Sequence, residues 1–256
     1  MSYRYLAFLV RSLLFFFFFI TTFALYQFEI LSAPLQIKRK ENHFSNLLLL
    51  PASGKKPDSM VVLFHGYGDN PENFLVVGVL LGQILPNTLF VAIEGPISCK
   101  NIPSGKQWLS TPKNKKPQLL KEIKNLTQSL NQYLDNLLKK YNISTEKMAL
   151  VGFSQGARVA LHLGLHRPKC GGIVALSGSY LNDPTEKNLF QPPVLIIHGT
   201  DDQKAPLSLA RESYKNLDAL KVPVTLITLA GVDHDIAPEE LELTGEFLKE
   251  CLSEKN

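Results

Sequence analysis

The sequence predicts an α/β fold in which helices cover both faces of a mostly parallel β-sheet. Short apolar runs alternate with longer amphipathic segments along most of the chain, and this alternation is typical of domains with a central parallel sheet. Most of the short runs are continuously apolar, as expected for strands that are buried on both faces. With 256 residues, the chain is long enough for one substantial domain around such a sheet.

The apolar runs and the amphipathic segments define the predicted elements. Seven strands are predicted at residues 47–50, 60–64, 89–93, 148–151, 172–176, 194–197 and 224–229. Five helices are predicted at residues 71–85, 117–141, 155–166, 207–220 and 238–252. In the second helix apolar residues recur at three- and four-residue steps, which is the pattern of a helix that lies on a sheet. The stretch 94–116 has no clear element and is interpreted as a functional or mobile loop.

A hydrophobic segment precedes this domain. Residues 12–28 carry no charge, and at about 1.5 Å per residue they would span roughly 25 Å of the ~30 Å hydrocarbon core, with flanking residues completing the span. We predict an amino-terminal membrane helix at residues 1–28, a linker at 29–42 and the α/β domain at 43–256. A cleaved signal peptide with export, or a cytoplasmic protein, are the alternatives. Basic residues flank both ends of the segment, so its orientation in a membrane is not decided.

Composition argues against several classes of function. The formal net charge is only +4, and the basic residues are too scattered to indicate nucleic-acid binding. Cys99, Cys170 and Cys251 lie far apart and are interpreted as unpaired thiols. His162 and His166 share a helix face, but no acidic residue accompanies them in the sequence, so we expect packed or surface histidines and no metal site. No organic cofactor is predicted either.

Ser154 stands in the most informative motif of the chain. It lies between Gly152 and Gly156, at the end of the predicted strand 148–151 and directly before a predicted helix. This is the sequence form of a nucleophile elbow, a strand-to-helix turn so sharp that the positions two before and two after the serine have no room for side chains. The free N–H groups at the helix start favour an anion beside the serine. A loop serine flanked by glycines is the alternative.

A reactive serine needs a base and a carboxylate that orients the base. In parallel sheets reactive groups gather beyond the carboxyl ends of the strands. Asp201 and Asp202 follow the strand 194–197, and His234 follows the strand 224–229 as the only histidine after this acidic turn. The chain order Ser, Asp, His is the order of an α/β-hydrolase. The residues alone leave Asp201 and Asp202 as alternatives for the carboxylate.

A nucleophilic serine also needs an oxyanion hole, which consists of N–H donors aimed at the tetrahedral intermediate. Gln155, directly after the serine, supplies one main-chain N–H. The second is expected from the loop after the strand 60–64, where glycines allow the backbone to approach a ligand, and we select Tyr67. His65 in this loop and His198 before the acidic turn are interpreted as structural residues.

Four motifs occur in a defined order along the chain. They are LFHGYGDN at 63–70, GFSQG at 152–156, HGTDDQKAP at 198–206 and GVDHD at 231–235. With these motifs, residues 44–252 resemble the phospholipase/carboxylesterase family of α/β-hydrolases, which includes acyl-protein thioesterases. The resemblance implies an α/β-hydrolase fold. The hydrophobic amino-terminal segment is not part of the family pattern.

The resemblance also implies a role for each candidate site residue. In the family the catalytic acid comes four residues after the motif histidine, which selects Asp202 over Asp201. The implied roles are nucleophile for Ser154, triad acid for Asp202, base for His234, oxyanion-hole donors for Tyr67 and Gln155, and a wall of the acyl pocket for Trp108.

These patterns predict a serine hydrolase that cleaves carboxylic esters or thioesters through an acyl-serine intermediate. A lysophospholipase that acts at the membrane is an alternative within the same chemistry. A non-catalytic binding module with the same fold is an alternative from another class. The loop 97–116 is unusually basic, which leaves the acyl-chain preference open, and the sequence also leaves a homodimer open.

Overall fold

An eight-stranded sheet forms the centre of the computed structural model, which describes residues 36–41, 44–110, 116–186 and 189–253. Ten strands occur among these residues, and two of them, β5 and β6, form a separate small sheet. The strands are β1 (Gln36–Glu41), β2 (Phe44–Leu49), β3 (Ser59–Phe64), β4 (Thr88–Ile93), β5 (Ile97–Ser98), β6 (Lys106–Gln107), β7 (Met148–Phe153), β8 (Gly172–Leu176), β9 (Val194–Gly199) and β10 (Val224–Leu229).

The strand order in the large sheet is β1-β2-β4-β3-β7-β8-β9-β10. All neighbours from β4 to β10 pair in parallel, whereas β1, β2 and β4 pair antiparallel at one edge. The carboxyl ends of the parallel strands therefore meet along one edge of the sheet. The helices are α1 (Pro71–Ile84), α2 (Lys116–Tyr141), α3 (Gln155–Leu165), α4 (Leu207–Ala219) and α5 (Pro238–Leu252).

The helices form a layer on each face of the sheet. Residues of α2, α3 and α4 share one core cluster with alternate strand residues such as Met60 and Val62. Helix α1 packs against α5, and its Gly78 approaches Leu63 and Phe90, which point to the opposite face. All residues of β3, β4 and β8 are buried, as expected for parallel strands covered on both sides.

The seven predicted strands and five predicted helices are confirmed, with ends that differ by at most three residues. Two features differ from the prediction. Strand β1 lies within the predicted linker 29–42, in the same compact unit as the rest of the sheet. Its sequence is highly charged, which an edge strand tolerates because it pairs on one side only. The short β5 and β6 strands form a hairpin within the stretch predicted as a loop.

The predicted membrane segment, residues 1–28, lies outside the described residues, so an amino-terminal helix stays a prediction. Within the part of the chain that the structure describes, no helix combines the length and the apolar character that crossing a bilayer requires.

Candidate active site

The turn between β7 and α3 carries Ser154 in a strained backbone conformation. Its φ of 54° and ψ of −112° are unusual for a residue with a side chain, and such strain is typical of a nucleophile elbow. The flanking glycines are required by close packing. A Cβ atom on Gly152 would lie 2.3 Å from the carbonyl oxygen of Gly156, and one on Gly156 would lie 2.0 Å from that of Phe64. The elbow therefore depends on both glycines.

Three side chains from the ends of β7, β9 and β10 meet at one point. Ser154 Oγ lies 2.9 Å from His234 Nε2, and His234 Nδ1 lies 2.7 Å from Asp202 Oδ2. The other carboxylate oxygen of Asp202 accepts hydrogen bonds from the main-chain N–H groups of Lys204 at 3.0 Å and Ala205 at 2.8 Å. The structure thus brings together the serine, histidine and aspartate that the motifs predict.

The environment of Asp202 sets the proton positions in this chain of hydrogen bonds. Burial of the carboxylate acts to raise its pKa, but hydrogen bonds from Ala205 N–H and from His234 outweigh burial, so its pKa lies below the ordinary value. An ionised carboxylate only accepts hydrogen bonds. His234 must therefore carry its proton on Nδ1, which leaves Nε2 free to accept the hydroxyl proton of Ser154.

The structure distinguishes between the two neighbouring aspartates. Asp201 is exposed, and its carboxylate accepts a hydrogen bond from the Thr200 hydroxyl at 2.8 Å. Asp202 is the one whose carboxylate contacts His234. His198 is fully buried, and its Nε2 donates to the carbonyl oxygen of Ala205 at 2.6 Å. His198 thus stabilises the turn that carries Asp202, in agreement with the structural role predicted for it.

The loop after β3 lies directly beside Ser154. A Cβ atom on Gly66 would be 3.7 Å from the Cβ of Ser154, so the main chain at Gly66, directly before Tyr67, borders the serine. On the other side, α3 begins at Gln155, and the first N–H groups of a helix have no acceptor within it. The two expected oxyanion-hole donors therefore belong to backbone segments next to Ser154.

The side chain of Gln155 has a second role that the sequence analysis did not predict. Its Oε1 accepts a hydrogen bond from the N–H of Trp108 at 2.7 Å, and its Nε2 donates to the carbonyl oxygen of Leu109 at 3.1 Å. Gln155 thus attaches the segment after β6 to the elbow. No local sequence signal indicates these contacts, because the partners lie in different segments of the chain.

His65 and Trp108 form a buried support beneath the loop after β3. His65 donates from Nδ1 to the carbonyl oxygen of Gly66 at 2.7 Å, and its Nε2 accepts from the N–H of Gly95 at 3.0 Å. Burial lowers the pKa of His65, which favours this neutral form. Trp108 Nε1 donates to the carbonyl oxygen of His65 at 2.8 Å, and only 2% of Trp108 is exposed. The Trp108 ring therefore supports the loop, and its role in lining the acyl pocket stays a prediction.

Two exposed apolar side chains lie in or against the loop after β3. Tyr67 is 48% exposed, and Ile102 is 38% exposed. The Ile102 side chain packs against Gly68, where a Cβ atom would lie 2.6 Å from its Cδ1. An exposed apolar surface therefore lies on the loop after β3, the loop expected to supply one oxyanion-hole donor.

A second cluster of histidine and carboxylate side chains lies at the far end of α3. One potential metal-ligand atom from each of His162, His166 and Glu186 lies within 4.8 Å of the others. Glu186 belongs to the loop between β8 and β9. The sequence-based reason for excluding a metal here, the absence of an acidic neighbour, is therefore wrong.

The chain belongs to the phospholipase/carboxylesterase family, whose sequence model matches residues 49–252. An uncharacterized hydrolase of Mycosarcoma maydis is 30% identical over 217 residues, which are 81% of this chain and 80% of that protein. Acyl-protein thioesterase 1 homolog 1 of Dictyostelium discoideum is 28% identical over 207 residues, with 75% of this chain and 90% of that protein covered. The resemblance predicted from the motifs is thus confirmed.

A solved structure supports the same assignment. The crystal structure of esterase PE8 superposes with a TM-score of 0.74 at 31% identity, and the match covers 80% of this chain and 97% of that protein. The fold is therefore that of the α/β-hydrolases, and the protein is a hydrolase of the carboxylesterase and acyl-protein thioesterase type.

Proposed function

We propose that this protein is a serine hydrolase that cleaves carboxylic esters or thioesters through an acyl-serine intermediate. In this proposal Ser154 is the nucleophile, His234 is the general base and acid, and Asp202 orients His234. The observation that carries the proposal is the continuous chain of contacts from Ser154 Oγ to His234 at 2.9 Å and from His234 to Asp202 at 2.7 Å. Such a chain activates a hydroxyl that is otherwise a poor nucleophile.

Acylation follows from the proton positions in the site. Ser154 Oγ attacks the carbonyl carbon of the substrate while Nε2 of His234 takes the hydroxyl proton. The negative charge that develops on the carbonyl oxygen is stabilised by the main-chain N–H groups of Tyr67 and Gln155. One such donor typically lowers the activation barrier by about 2.7–4 kcal/mol. When the tetrahedral intermediate collapses, His234 transfers its proton to the departing alcohol or thiol, and the acyl group remains on Ser154.

Deacylation uses the same groups in reverse. His234 takes a proton from a water molecule, whose oxygen attacks the acyl carbon. Collapse of the second intermediate releases the carboxylic acid and returns the proton to Ser154 Oγ. Asp202 stays ionised throughout, because its two main-chain donors and its contact with His234 favour the charged form.

The apolar surface beside the loop after β3 supports an acyl group as the recognised part of the substrate. Exposed apolar side chains such as Tyr67 and Ile102 offer contact to a hydrocarbon chain, and each buried methylene contributes about 0.8 kcal/mol. The same surface makes a lysophospholipid a candidate substrate. Turnover of dispersed lysolipid, short nitrophenyl esters and acyl thioesters, measured side by side, distinguishes these substrate classes.

A fluorophosphonate probe tests the nucleophile directly, because it labels only an activated serine. We expect labelling of the wild type and of the matched control Ser208→Ala, which removes an exposed hydroxyl on α4, and no labelling of Ser154→Ala. Ester hydrolysis should fall by about 10⁴–10⁶-fold in Ser154→Ala and in His234→Ala, because the members of such a unit act together.

Two results would contradict this proposal. One is a folded wild type that the probe does not label, which would favour a non-catalytic binding module. The other is full turnover in His234→Ala, which would exclude this histidine as the base.

A further inference from the structure

The cluster of His162, His166 and Glu186 has a geometry that the hydrolase mechanism does not use. The two histidines are one turn apart at the carboxyl end of α3, and their rings stack with centroids 4.1 Å apart and an angle of 18°. Glu186 approaches them from the loop between β8 and β9, with its Oε2 atom 2.9 Å from His166 Nε2. One potential ligand atom from each of the three residues lies within 4.8 Å of the other two.

Hydrogen bonds to the Nδ1 atoms define the proton positions on both rings. The Thr127 hydroxyl donates its proton to the carbonyl oxygen of Ile123 at 2.8 Å, so it must accept from His162 Nδ1, which lies 3.3 Å away. His166 Nδ1 lies 2.6 Å from the carbonyl oxygen of His162, which only accepts. Both rings therefore carry a proton on Nδ1, and in the neutral form each Nε2 atom presents a lone pair.

The three atoms that face one another lack hydrogen-bond partners. Among the described residues, His162 Nε2, His166 Nε2 and Glu186 Oε2 are all buried and form no hydrogen bond, and His166 Nε2 faces Glu186 Oε2 at 2.9 Å. His162 is only 2% exposed. A buried polar atom without a partner costs roughly 1–3 kcal/mol. Two lone-pair atoms 2.9 Å apart also repel each other unless a cation compensates.

A proton and a metal ion differ in how many of the three facing atoms they provide with a partner. A proton on His166 Nε2 would satisfy the contact with Glu186 but would leave His162 Nε2 unpaired. A metal ion would satisfy all three atoms at once. We propose that His162, His166 and Glu186 form a binding site for a divalent transition-metal ion such as Zn²⁺, with water as the fourth ligand.

The donor set and its surroundings fit this class of ion. Two imidazole nitrogens and one carboxylate are ligands that Zn²⁺ takes in tetrahedral sites, whereas Mg²⁺ and Ca²⁺ prefer oxygen ligands. The Nδ1 contacts with Thr127 and with the carbonyl of His162 are the outer hydrogen bonds that usually orient metal-binding histidines.

Neighbouring charges are consistent with an added cation. Lys124 Nζ lies 3.0 Å from Glu186 Oε1 and 2.7 Å from Asp183 Oδ2. Lys124 therefore contacts the glutamate oxygen that faces away from the histidines, and the charge of Asp183 offsets that of the ammonium group. The metal would fasten the loop after β8 to α3. This loop begins next to the elbow, since a Cβ atom on Gly178 would lie 2.9 Å from the carbonyl oxygen of Ser154.

Equilibrium dialysis of the metal-stripped, full-length chain against Zn²⁺ tests the site. We expect one Zn²⁺ per chain and a higher melting temperature with Zn²⁺, because a ligand that binds the folded state stabilises it. The variants His166→Gln and Glu186→Gln should bind at least roughly 10–100-fold more weakly, since even outer contacts of a metal site have effects of that size. Mg²⁺ at the same concentration should not compete.

Two matched variants separate this site from other binding. Glu146→Gln removes an exposed glutamate that also pairs with a lysine, Lys169, at 2.9 Å, and it should bind Zn²⁺ like the wild type. His234→Ala removes the imidazole of the proposed catalytic site, and it should also keep one Zn²⁺ per chain.

The outcome is independent of hydrolysis, because binding is measured without substrate. A wild type that binds no Zn²⁺ would overturn the metal site and would make the cluster an ion pair of protonated His166 with Glu186. Undiminished binding in Glu186→Gln would overturn it as well. Loss of binding in His234→Ala alone would place the metal at the Ser154 site instead.

Discussion

Two regions of this protein place imidazole and carboxylate groups in contact, and they differ in how completely their polar atoms are paired. At the elbow, His234 lies 2.7 Å from Asp202 and 2.9 Å from Ser154, and each atom of the chain has a partner. At the far end of α3, His166 lies 2.9 Å from Glu186, yet neither of the facing atoms forms a hydrogen bond. A complete chain suits proton transfer, whereas unpaired lone pairs suit the binding of a cation.

Replacing Asp202 by asparagine should strongly reduce turnover, because it breaks the complete chain of contacts at the elbow. The amide oxygen of Asn would accept the N–H groups of Lys204 and Ala205, so its NH₂ group would face His234 Nδ1. His234 would then carry its proton on Nε2 and could not take the proton of Ser154. We expect turnover of a nitrophenyl ester to fall by about 10⁴-fold.

The neighbouring aspartate provides the control for that variant. Asp201→Asn removes an exposed carboxylate of the same turn and should retain turnover. If Asp202→Asn also retained full turnover, the proton positions assigned to the site would be wrong.

The second prediction concerns the backbone that holds Ser154 in place. In Gly156→Ala the new methyl group would lie 2.0 Å from the carbonyl oxygen of Phe64, so β3 and α3 would have to separate. We expect a loss of more than about 4 kcal/mol in the free energy of unfolding, measured by urea denaturation, which is exceptional for one substitution.

Gly82 in α1 provides the control, because the same substitution there causes no clash. In Gly82→Ala the methyl group would meet its nearest atom at 3.8 Å, so stability should rise by about 0.5–1 kcal/mol through helix propensity. Similar effects at both positions would contradict the close packing described for the elbow.

The buried carboxylate of Glu240 extends the comparison, because it has fewer hydrogen-bond partners than the carboxylate of Asp202. Among the described residues, neither carboxylate oxygen of Glu240 forms a hydrogen bond. Burial, together with the charges of Asp235 and Asp202, raises the pKa of Glu240 from 4.5 to about 7. Asp202, with two main-chain donors and His234, has a lowered pKa instead. The hydrogen-bond donors around Asp202 therefore favour its charged form, whereas burial and the neighbouring charges favour the protonated form of Glu240.

The raised pKa of Glu240 predicts that this residue makes the free energy of unfolding depend on pH. The folded state holds the proton of Glu240 more tightly than the unfolded state does. The contribution of Glu240 to the free energy of unfolding is therefore most favourable below about pH 4.5 and is lost as the pH rises through about 7. Glu240→Gln removes this dependence, so its stability relative to the wild type should increase by about 2–3 kcal/mol from pH 5 to pH 8.

Urea denaturation at both pH values checks this expectation. Glu239→Gln, which removes a charge at the exposed neighbouring position, should show little difference between them. A Glu240→Gln variant whose relative stability does not change with pH would contradict the raised pKa.

Most of the fold could be predicted because hydrophobic pattern is a local property. The continuous apolar runs and the helical periodicity identify every parallel strand and all five described helices. Strand β1 escapes this reasoning, because its sequence is highly charged and carries no apolar pattern. It is identified by its backbone pairing with β2. Strands β5 and β6 contain two residues each, which is too short for any pattern.

The serine, histidine and aspartate could be predicted because the topology of a parallel sheet brings strand ends to one edge. The residues that follow β7, β9 and β10 therefore had to lie near one another. The choice between Asp201 and Asp202 required the family pattern, because the two residues are equivalent in a sequence. The burial of Trp108 beneath the loop after β3 depended on contacts with His65 that no pattern reveals.

The sequence by itself thus determined the parallel strands, the elbow and the order of the three polar residues, because each follows from local pattern or from the rules of parallel sheets. Only the tertiary structure decided that Glu186 meets His162 and His166 and that Glu240 is fully buried. The physical reason is that the path of an irregular loop and the depth of a helix end depend on packing between distant segments, which leaves no periodic trace in the chain.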